Sequence, residues 1–257
     1  MSEDADWLTQ GLEAMRLCEY ERALACFDEA VALQPESHAA WYSRGMALYN
    51  LGDDRAALAA FCRASAQQPR SHLAWYGHGV ALAELGQREE ALAAFDQAIL
   101  LEPQSHLAWL AKGMALVDMQ RWEEATTALH EALARHAGAA QAWYGLGIAH
   151  LQSNREAEAL DAFEHSVALQ ADFDLAWYGK GLALLQAHRT QEALEALTAA
   201  TTANPQCTLA WMRQGDTLEQ LGRYDAACAA YEQVLQHTTP AEPLHAQAQR
   251  QLQRFRL

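Results

Sequence analysis

The six-residue segment AWYSRG at residues 40–45 contains a pattern of residues that recurs along the chain at a constant interval. Each copy has a tryptophan followed four residues later by a glycine, and an alanine precedes the tryptophan in every copy except the first. The tryptophans are 34 residues apart, at Trp7, Trp41, Trp75, Trp109, Trp143, Trp177 and Trp211. Seven copies without an insertion predict a tandem array in which each repeat packs on its neighbours.

A second set of residues follows the same interval. Sixteen residues after each tryptophan stands an alanine, and four residues after the alanine stands a large side chain. The large residues are Phe27, Phe61, Phe95, Leu129, Phe163, Leu197 and Tyr231. These spacings place the recurring residues on one face of a helix, so each repeat is predicted to contain two amphipathic helices. Because glycine in a helix costs about 1 kcal/mol relative to alanine, the recurring glycine indicates a close approach of two helices.

Turn and capping signals separate the predicted helices. Glycines that favour a turn between the two helices of a repeat are Gly52, Gly86 and Gly222. Prolines that would stop the second helix are Pro35, Pro69, Pro103 and Pro205. Serines placed to cap the next helix are Ser37, Ser71 and Ser105.

A tryptophan, a glycine, an alanine, an aromatic residue and a proline at this interval resemble the tetratricopeptide repeat (TPR). The resemblance covers residues 4–241 of the 257. It implies an all-α, right-handed α-solenoid, or superhelix, of seven TPR helical hairpins. The predicted units are 4–37, 38–71, 72–105, 106–139, 140–173, 174–207 and 208–241. Residues 242–257 contain an apolar stripe and are predicted to form a C-terminal capping helix.

The net charge of −15 argues against nucleic acid and against direct membrane contact, because both present anionic surfaces. It favours a partner segment that carries basic residues, although excess acid also keeps an extended array in solution. The sequence has no apolar run of membrane-spanning length and no basic-then-apolar leader, so we expect a cytoplasmic location. Its five cysteines lack a C-x-x-C arrangement, which predicts reduced thiols.

No catalytic motif is recognisable, and the sequence assigns no Cys–His pair to a single site. His38, His72 and His106 form a ladder at the repeat interval. Neighbouring repeats are expected on the order of 10 Å apart, whereas zinc lies about 2 Å from a histidine nitrogen, so these residues are predicted to lie in solvent at helix starts. We therefore expect no catalytic residues, no cofactor and no metal site.

The resemblance implies that the first helix of each repeat lines a concave groove. The residues after the tryptophans would be Tyr42, Tyr76, Leu110, Tyr144, Tyr178 and Met212. One turn later the groove would hold Met46, Val80, Met114, Ile148, Leu182 and Asp216, then Tyr49, Ala83, Val117, Leu151, Leu185 and Glu219. The rim would hold Asn50, Glu84, Asp118, Gln152 and Gln186, and the upper edge Leu73, Leu107, Leu175 and Leu209.

This set predicts a groove that binds a protein or peptide segment, apolar with basic flanks, within a scaffold or adaptor. Three alternatives stay open. The tyrosines can instead pack against the next helix, the chain can be a structural subunit that assembles through its ends or its convex face, or it can be an enzyme or metalloprotein. Cochaperone TPR domains clamp a carboxylate with Lys and Asn, but the corresponding pairs here are Leu8 and Leu12, Tyr42 and Met46, and Tyr76 and Val80.

Overall fold

The computed structural model describes residues 3–255 of the chain, and side chains from residue 7 onward. All regular structure in this range is helical, in fifteen helices. The helices alternate as the repeat pattern predicts: each repeat contributes one helix that carries the recurring tryptophan and glycine and a second that carries the recurring alanine and large residue. The chain divides into two units, which end and begin at Arg121 and Trp122.

The first unit contains three complete hairpins and the first helix of the fourth repeat. Its helices are α1 (Glu3–Arg16), α2 (Tyr20–Leu33), α3 (His38–Asn50), α4 (Asp54–Gln67), α5 (His72–Glu84), α6 (Arg88–Leu101) and α7 (His106–Asp118). Each of the helices from α1 to α6 packs against the helix that follows it in the chain, and α1, α3 and α5 also contact the next first helix along the chain.

The second unit contains the second helix of the fourth repeat, three complete hairpins and a final helix. Its helices are α8 (Trp122–Arg135), α9 (Ala140–Gln152), α10 (Glu156–Leu169), α11 (Asp174–Gln186), α12 (Thr190–Ala203), α13 (Thr208–Gln220), α14 (Tyr224–Gln236) and α15 (Pro243–Phe255). Successive helices again pack on one another.

A left-handed residue joins the two helices of every repeat. The residues with positive φ are Cys18, Gly52, Gly86, Gln120, Asn154, His188 and Gly222, and all lie at the same repeat position. The turn glycines predicted from the sequence are therefore confirmed at three of the seven turns. The serine caps are also confirmed: Ser37, Ser71 and Ser105 accept hydrogen bonds from the backbone N–H groups three residues later.

The recurring glycines make room for the recurring aromatic ring. A Cβ atom built on Gly45 would lie 2.7 Å from Cε1 of Phe61, and one built on Gly77 would lie 2.5 Å from the same atom. Phe61 is 1% exposed, and burying a phenylalanine side chain stabilises a fold by roughly 1.5–3 kcal/mol. The glycines thus allow the helices to close on a buried ring, which is the packing reason that their recurrence indicated.

The tryptophan rings are anchored by hydrogen bonds to the turn before each first helix. The indole Nε1–H of Trp41 donates to the Pro35 carbonyl at 2.7 Å, and that of Trp177 donates to the Ala171 carbonyl at 2.9 Å. The same bond forms at Trp75, Trp109, Trp143 and Trp211. Because the indole donates to the backbone of the preceding turn, each tryptophan fixes where its own repeat begins.

The final helix packs against the last hairpin. Ala248 and Leu252 of α15 are buried in the cluster that contains Tyr231 and Val234 of α14. Arg254 forms an ion pair with Glu219 of α13, at 3.1 Å. This arrangement agrees with the capping role that the sequence predicts. Within residues 3–255, no helix combines the length and the apolar character needed to cross a bilayer.

Candidate functional site

The predicted groove tyrosines are half-buried rather than fully exposed. The ring of Tyr42 packs on Phe61 with centroids 5.8 Å apart, and Tyr76 packs on Phe95 at 6.2 Å. Tyr144 lies between Phe163, at 6.1 Å, and Phe173, at 5.1 Å. Burial raises the pKa of the Tyr42 and Tyr76 hydroxyls above their ordinary value. The tyrosines therefore pack on the core, as the alternative interpretation held, and still leave part of each side chain accessible.

In the first unit, an apolar surface runs along α3, α5 and α7. We define this first-unit face by its half-buried residues Tyr42, Met46, Tyr49, Tyr76, Val80, Leu110 and Met114 and by its exposed residues Leu73 and Leu107. Leu73 is 44% exposed and Leu107 is 45% exposed. Two leucines that are nearly half exposed, beside half-exposed tyrosine and aliphatic side chains, form an apolar patch on the first helices.

Polar residues border this face. Asn50, Glu84 and Asp118 are exposed at the ends of α3, α5 and α7. The Asn50 amide donates to the Met46 carbonyl at 2.7 Å, so part of its hydrogen-bonding capacity is used within its own helix. Glu84 accepts a long hydrogen bond of 3.5 Å from the Tyr49 hydroxyl. The carboxylates of Glu84 and Asp118 make the border acidic.

The second unit carries a smaller equivalent surface on α9 and α11. We define this second-unit face by the half-buried residues Tyr144, Ile148, Tyr178 and Leu182, with Gln152 and Gln186 exposed at its border. Leu175 and Leu209 are 42% and 49% exposed. Tyr144, Ile148 and Leu182 also contact the buried cluster around Phe163.

Three predicted groove residues, Met212, Val117 and Leu151, are buried and cannot contact a partner, so for these the prediction was wrong. Met212 is 3% exposed because it packs in the cluster that includes Leu252 of α15. Val117 and Leu151 are 7% and 9% exposed. Asp216 and Glu219 both accept hydrogen bonds from the Tyr231 hydroxyl, at 3.0 and 3.3 Å. Part of the hydrogen-bonding capacity of these carboxylates is therefore used within the chain.

The histidine ladder also differs from the prediction of solvent-facing side chains. His38 is partly buried, and its Nδ1 lies 2.9 Å from the Ala64 carbonyl while its Nε2 lies 3.1 Å from the Ser71 hydroxyl. Its ring thus bridges the start of one repeat to the next. Among residues 3–255, no three His, Cys, Asp or Glu side chains converge in an arrangement that could hold a metal ion.

A Cys–His pair does form, which corrects the expectation that no such pair shares a site. Cys62 Sγ lies 3.7 Å from His78 Nε2, and the His78 ring stacks on Trp75 with centroids 5.7 Å apart. Burial raises the pKa of the Cys62 thiol and lowers the pKa of the His78 imidazole. Both shifts favour the neutral forms, so the pair lacks the thiolate–imidazolium character of a cysteine nucleophile.

A set of residues that the sequence analysis missed surrounds alternate tryptophans. In the sixth repeat, Lys180 Nζ lies 5.6 Å from the centre of the Trp177 ring and 3.1 Å from Oε1 of Glu164. The equivalent sets are Arg44, Trp41 and Asp28, and Lys112, Trp109 and Asp96. The signal was present in the sequence, because each cation stands three residues after its tryptophan and sixteen after its acid.

Three clefts lie at equivalent places beside the tryptophans of the second unit. The fifth-repeat cleft, of about 530 Å³, is lined by His130, Trp143, Leu146, His150, Ala157, Glu158, Asp161 and Ala162. The sixth-repeat cleft, of about 310 Å³, includes Trp177, Lys180, Leu184, Glu192 and Glu195. The seventh-repeat cleft, of about 380 Å³, includes Trp211, Gln214, Leu218, Ala226 and Ala229.

Comparison with known proteins agrees with this architecture. The sequence matches the family model described as "Tetratricopeptide repeat" over residues 8–72, 47–106, 76–118, 110–172 and 178–243. A search of curated proteins found no significant match.

Solved structures with the same fold are distant in sequence. The APC/C hetero-tetramer Cut9–Hcn1 superposes with a TM-score of 0.77 at 18% identity, over 91% of this chain and 48% of the other, so this chain spans about half of that length. A tetratricopeptide repeat protein from Parabacteroides merdae has a TM-score of 0.72 at 13% identity, over 97% of both chains. YrrB, a TPR protein described as having an unusual peptide-binding site, has a TM-score of 0.57 at 21% identity, over 74% and 98%. At these identities the likeness shows the fold alone.

Proposed function

Since this chain belongs to the tetratricopeptide repeat family, we propose that it is a non-catalytic scaffold that binds a segment of a partner protein on the first helices of its repeats. Structures of similar fold include a TPR protein with a peptide-binding site and the complex Cut9–Hcn1, which supports protein interaction as the general role. The chemistry of the partner segment and the surface that binds it are what we propose beyond this general role.

The first-unit face carries the proposal. Leu73 and Leu107 expose nearly half of their surface beside half-exposed tyrosines and methionines, and an exposed apolar patch on a soluble fold commonly marks an interaction site. Tyrosine offers apolar area and a hydroxyl at little cost in conformational entropy. The acidic border of Glu84 and Asp118 and the net charge of −15 favour a segment that is apolar in its centre and basic at its flanks.

Two exposed leucines allow a test that spares the fold. We expect the double variant Leu73→Glu/Leu107→Glu to fold normally and to lose partner binding, because both side chains are nearly half exposed. The matched control is Leu100→Glu, which makes the same substitution at a residue of α6 that is 72% exposed and lies outside the face. The probe is a displayed library of random twelve-residue peptides, panned against each protein.

Enrichment of peptides with an apolar centre and Lys or Arg flanks by the wild type and by Leu100→Glu, but not by the double variant, supports the proposal. If the double variant enriches the same peptides as the wild type, the first-unit face is not the binding surface. If the enriched peptides are acidic, the proposed chemistry of the partner segment is wrong. Tyr76, Met114 and Tyr144 are less suitable for substitution by charged residues, because they contact buried side chains or are themselves half-buried.

Exposed leucines on the second helices favour one other candidate function, assembly through the opposite face. In the first unit, Leu33 and Leu100 are 48% and 72% exposed on α2 and α6. A structural subunit that uses this face would self-associate with rising concentration in sedimentation velocity, and Leu100→Glu would suppress the association.

The cytoplasmic location stays a prediction from the sequence.

A further inference from the structure

The fifth-repeat cleft and the sixth-repeat cleft have corresponding walls. Seven of the eight residues that line the fifth-repeat cleft have a counterpart 34 residues later in the sixth-repeat cleft: for example, Trp143 corresponds to Trp177, Leu146 to Lys180 and His130 to Glu164. The cleft residues lie on a different face of α9 from Tyr144 and Ile148, because they follow Trp143 at intervals of three and seven residues. Binding in this cleft would therefore use a different surface from the binding proposed on the first helices.

In the sixth repeat this position holds a cation that belongs to the chain itself. The Lys180 ammonium group lies over the Trp177 ring and forms an ion pair with Glu164. Arg44 and Lys112 do the same in the second and fourth repeats. A tryptophan face beside a carboxylate attracts a cation, and three repeats show that an arginine or lysine side chain fits this position of the fold.

In the fifth repeat no lysine or arginine takes this position in the described part of the chain, although the His165 ring stacks on Trp143 with centroids 4.4 Å apart, and an acidic rim is present. Leu146 takes the place of the lysine and His130 the place of its acid, and the cleft is larger, about 530 Å³ against 310 Å³. Glu158 and Asp161 line it, whereas the corresponding residues of the seventh-repeat cleft are Ala226 and Ala229. The acidic rim is thus not a general feature of the repeat.

The carboxylates of this rim form fewer hydrogen bonds and ion pairs within the chain than those of the sixth repeat. Arg189 binds Glu192 through two hydrogen bonds, at 2.8 and 2.6 Å. Its counterpart Arg155 forms no such pair with Glu158 in the described part of the chain. The Asp161 carboxylate lies 3.7 Å from His165 Nδ1, which makes an ion pair only when His165 is protonated.

The wall of the cleft contains a buried histidine where the repeat pattern has leucine. His150 corresponds to Leu48, Leu82, Leu116, Leu184 and Leu218. It is 8% exposed, and its Nδ1 has no hydrogen-bond partner within residues 7–255. An unpaired buried polar atom costs about 1–3 kcal/mol, so a histidine here weakens the fold unless something bound in the cleft engages it.

We propose that the fifth-repeat cleft binds an arginine side chain of a partner polypeptide, in the position that the chain's own cations fill in the second, fourth and sixth repeats. The arginine enters the cleft beside Trp143, whose ring also carries the stacked His165 imidazole at 4.4 Å, and its guanidinium group pairs with Glu158 and Asp161. The guanidinium carries five N–H donors in a planar fork, enough for two carboxylates and, after reorientation of the imidazole ring, for His150.

The protonation state of His150 is compatible with a cationic guest. Burial lowers the pKa of His150, Arg155 and His130 act in the same direction, and Glu158 acts in the opposite direction. The imidazole is therefore neutral near pH 7, does not repel a guanidinium group, and has one ring nitrogen free of hydrogen. This inference goes beyond the proposed binding on the first helices, and the two can fail independently.

The test uses the full chain and a defined probe, N-acetyl-L-arginine methylamide, with the uncharged isostere N-acetyl-L-citrulline methylamide as comparison. The indole N–H signal of Trp143 is followed by NMR and assigned with a Trp143→Phe variant. We expect a saturable shift of this signal with the arginine probe and a response about tenfold weaker with citrulline, because the charge-assisted bonds are lost.

Two sets of variants identify the site. Glu158→Gln/Asp161→Asn removes two exposed carboxylates and should weaken binding about tenfold without unfolding the chain. Its matched control, Glu192→Gln/Glu195→Gln, makes the same charge change in the sixth repeat and should leave the affinity unchanged. His130→Glu/Leu146→Lys rebuilds the sixth-repeat set in the fifth repeat, so the chain's own lysine should exclude the probe.

No shift of the Trp143 signal at millimolar probe, an equal response to citrulline, or unchanged binding by Glu158→Gln/Asp161→Asn would overturn the proposal. These outcomes leave the binding function of the first-unit face intact, because Leu73 and Leu107 lie in the other unit. Conversely, unchanged peptide binding by Leu73→Glu/Leu107→Glu with the Trp143 response retained would refute the first-helix binding and leave the arginine site.

Discussion

The fifth repeat, residues 140–173, and the sixth repeat, residues 174–207, have the same framework of tryptophan, glycine and alanine but differ in what surrounds it. The fifth repeat has the rigid ring of Phe163 in its core, the buried His150 on its first helix and the uncharged Leu146 three residues after its tryptophan. The sixth has Leu197, Leu184 and a lysine at these positions. The framework fixes the backbone, so the remaining positions can change in polarity and charge without changing the fold. The following predictions test whether these positions can change in polarity and charge while the framework keeps the fold.

The largest difference is expected at the glycines that contact the core side chain. A Cβ atom on Gly147 would lie 2.6 Å from Cε1 of Phe163, and Gly179 closes on the same ring from the next repeat at 2.4 Å. A Cβ atom on Gly181 would lie 2.8 Å from Cγ of Leu197. We expect Gly147→Ala to lower the free energy of unfolding by about 2–3 kcal/mol, and Gly181→Ala by about 1 kcal/mol less, since a leucine can change rotamer whereas a flanked ring cannot.

Urea unfolding of both variants measures this difference. The double variant Gly147→Ala/Phe163→Leu serves as the control and should recover part of the lost stability, because it reproduces the sixth-repeat pairing. An equal loss at the two glycines would show that the aromatic ring is not what limits the approach of the helices.

The second difference concerns the buried polar residue. His150→Leu should raise the free energy of unfolding by about 1–2 kcal/mol, because the unpaired Nδ1 is removed and the leucine that five of the other six repeats have at this position is restored. The reciprocal variant Leu184→His should lower it by a similar amount, since Leu184 is 2% exposed. If His150→Leu instead lowered the free energy of unfolding, Nδ1 of His150 would have a hydrogen-bond partner in solution and its burial would carry no penalty.

The gain from His150→Leu should increase as the solution is acidified. Burial lowers the pKa of His150 below its ordinary value. Between the two pKa values the unfolded chain binds a proton that the folded chain does not, so the stability of the wild type falls as the pH falls through this window. Leucine has no such proton, and unfolding measured at about pH 7.5 and about pH 5.5 should show the larger gain at the lower pH. A gain independent of pH would mean that the folded imidazole titrates normally.

The sequence predicted the helices well because the fold is set by a local period. The interval of 34 residues placed both helices of every repeat, and the side-chain caps at Ser37, Ser71 and Ser105 follow from short-range chemistry. Contacts between helices were harder to predict. The Cys62–His78 pair and the Lys180–Glu164 pair join residues sixteen apart on different helices, and only a comparison of repeats at equivalent positions would have shown them.

The predicted groove was less accurate than the fold for the same reason. Helical spacing gives Val117 and Leu151 the position that Tyr49 has in its own helix, but both are buried, at 7% and 9% exposed, and Met212 is buried in the cluster that includes α15. The exposure of a residue on a first helix depends on the side chains of its neighbours, which the period of a single helix does not contain. Leu73 and Leu107 at the helix starts are exposed as expected.

The smallest difference is expected at the left-handed turns of the two repeats. Asn154 has a φ of 55° and His188 a φ of 57°, a conformation that asparagine tolerates better than histidine because its short polar side chain can bond locally. His188→Gly should therefore raise the free energy of unfolding by about 0.5–1 kcal/mol, whereas Asn154→Gly should change it by only a few tenths. Gly222→Ala, at the same turn position with a φ of 72°, is the control and should lose about 1 kcal/mol. An equal gain at Asn154 and His188 would show that the backbone conformation alone, and not the side chain, sets the stability of this turn.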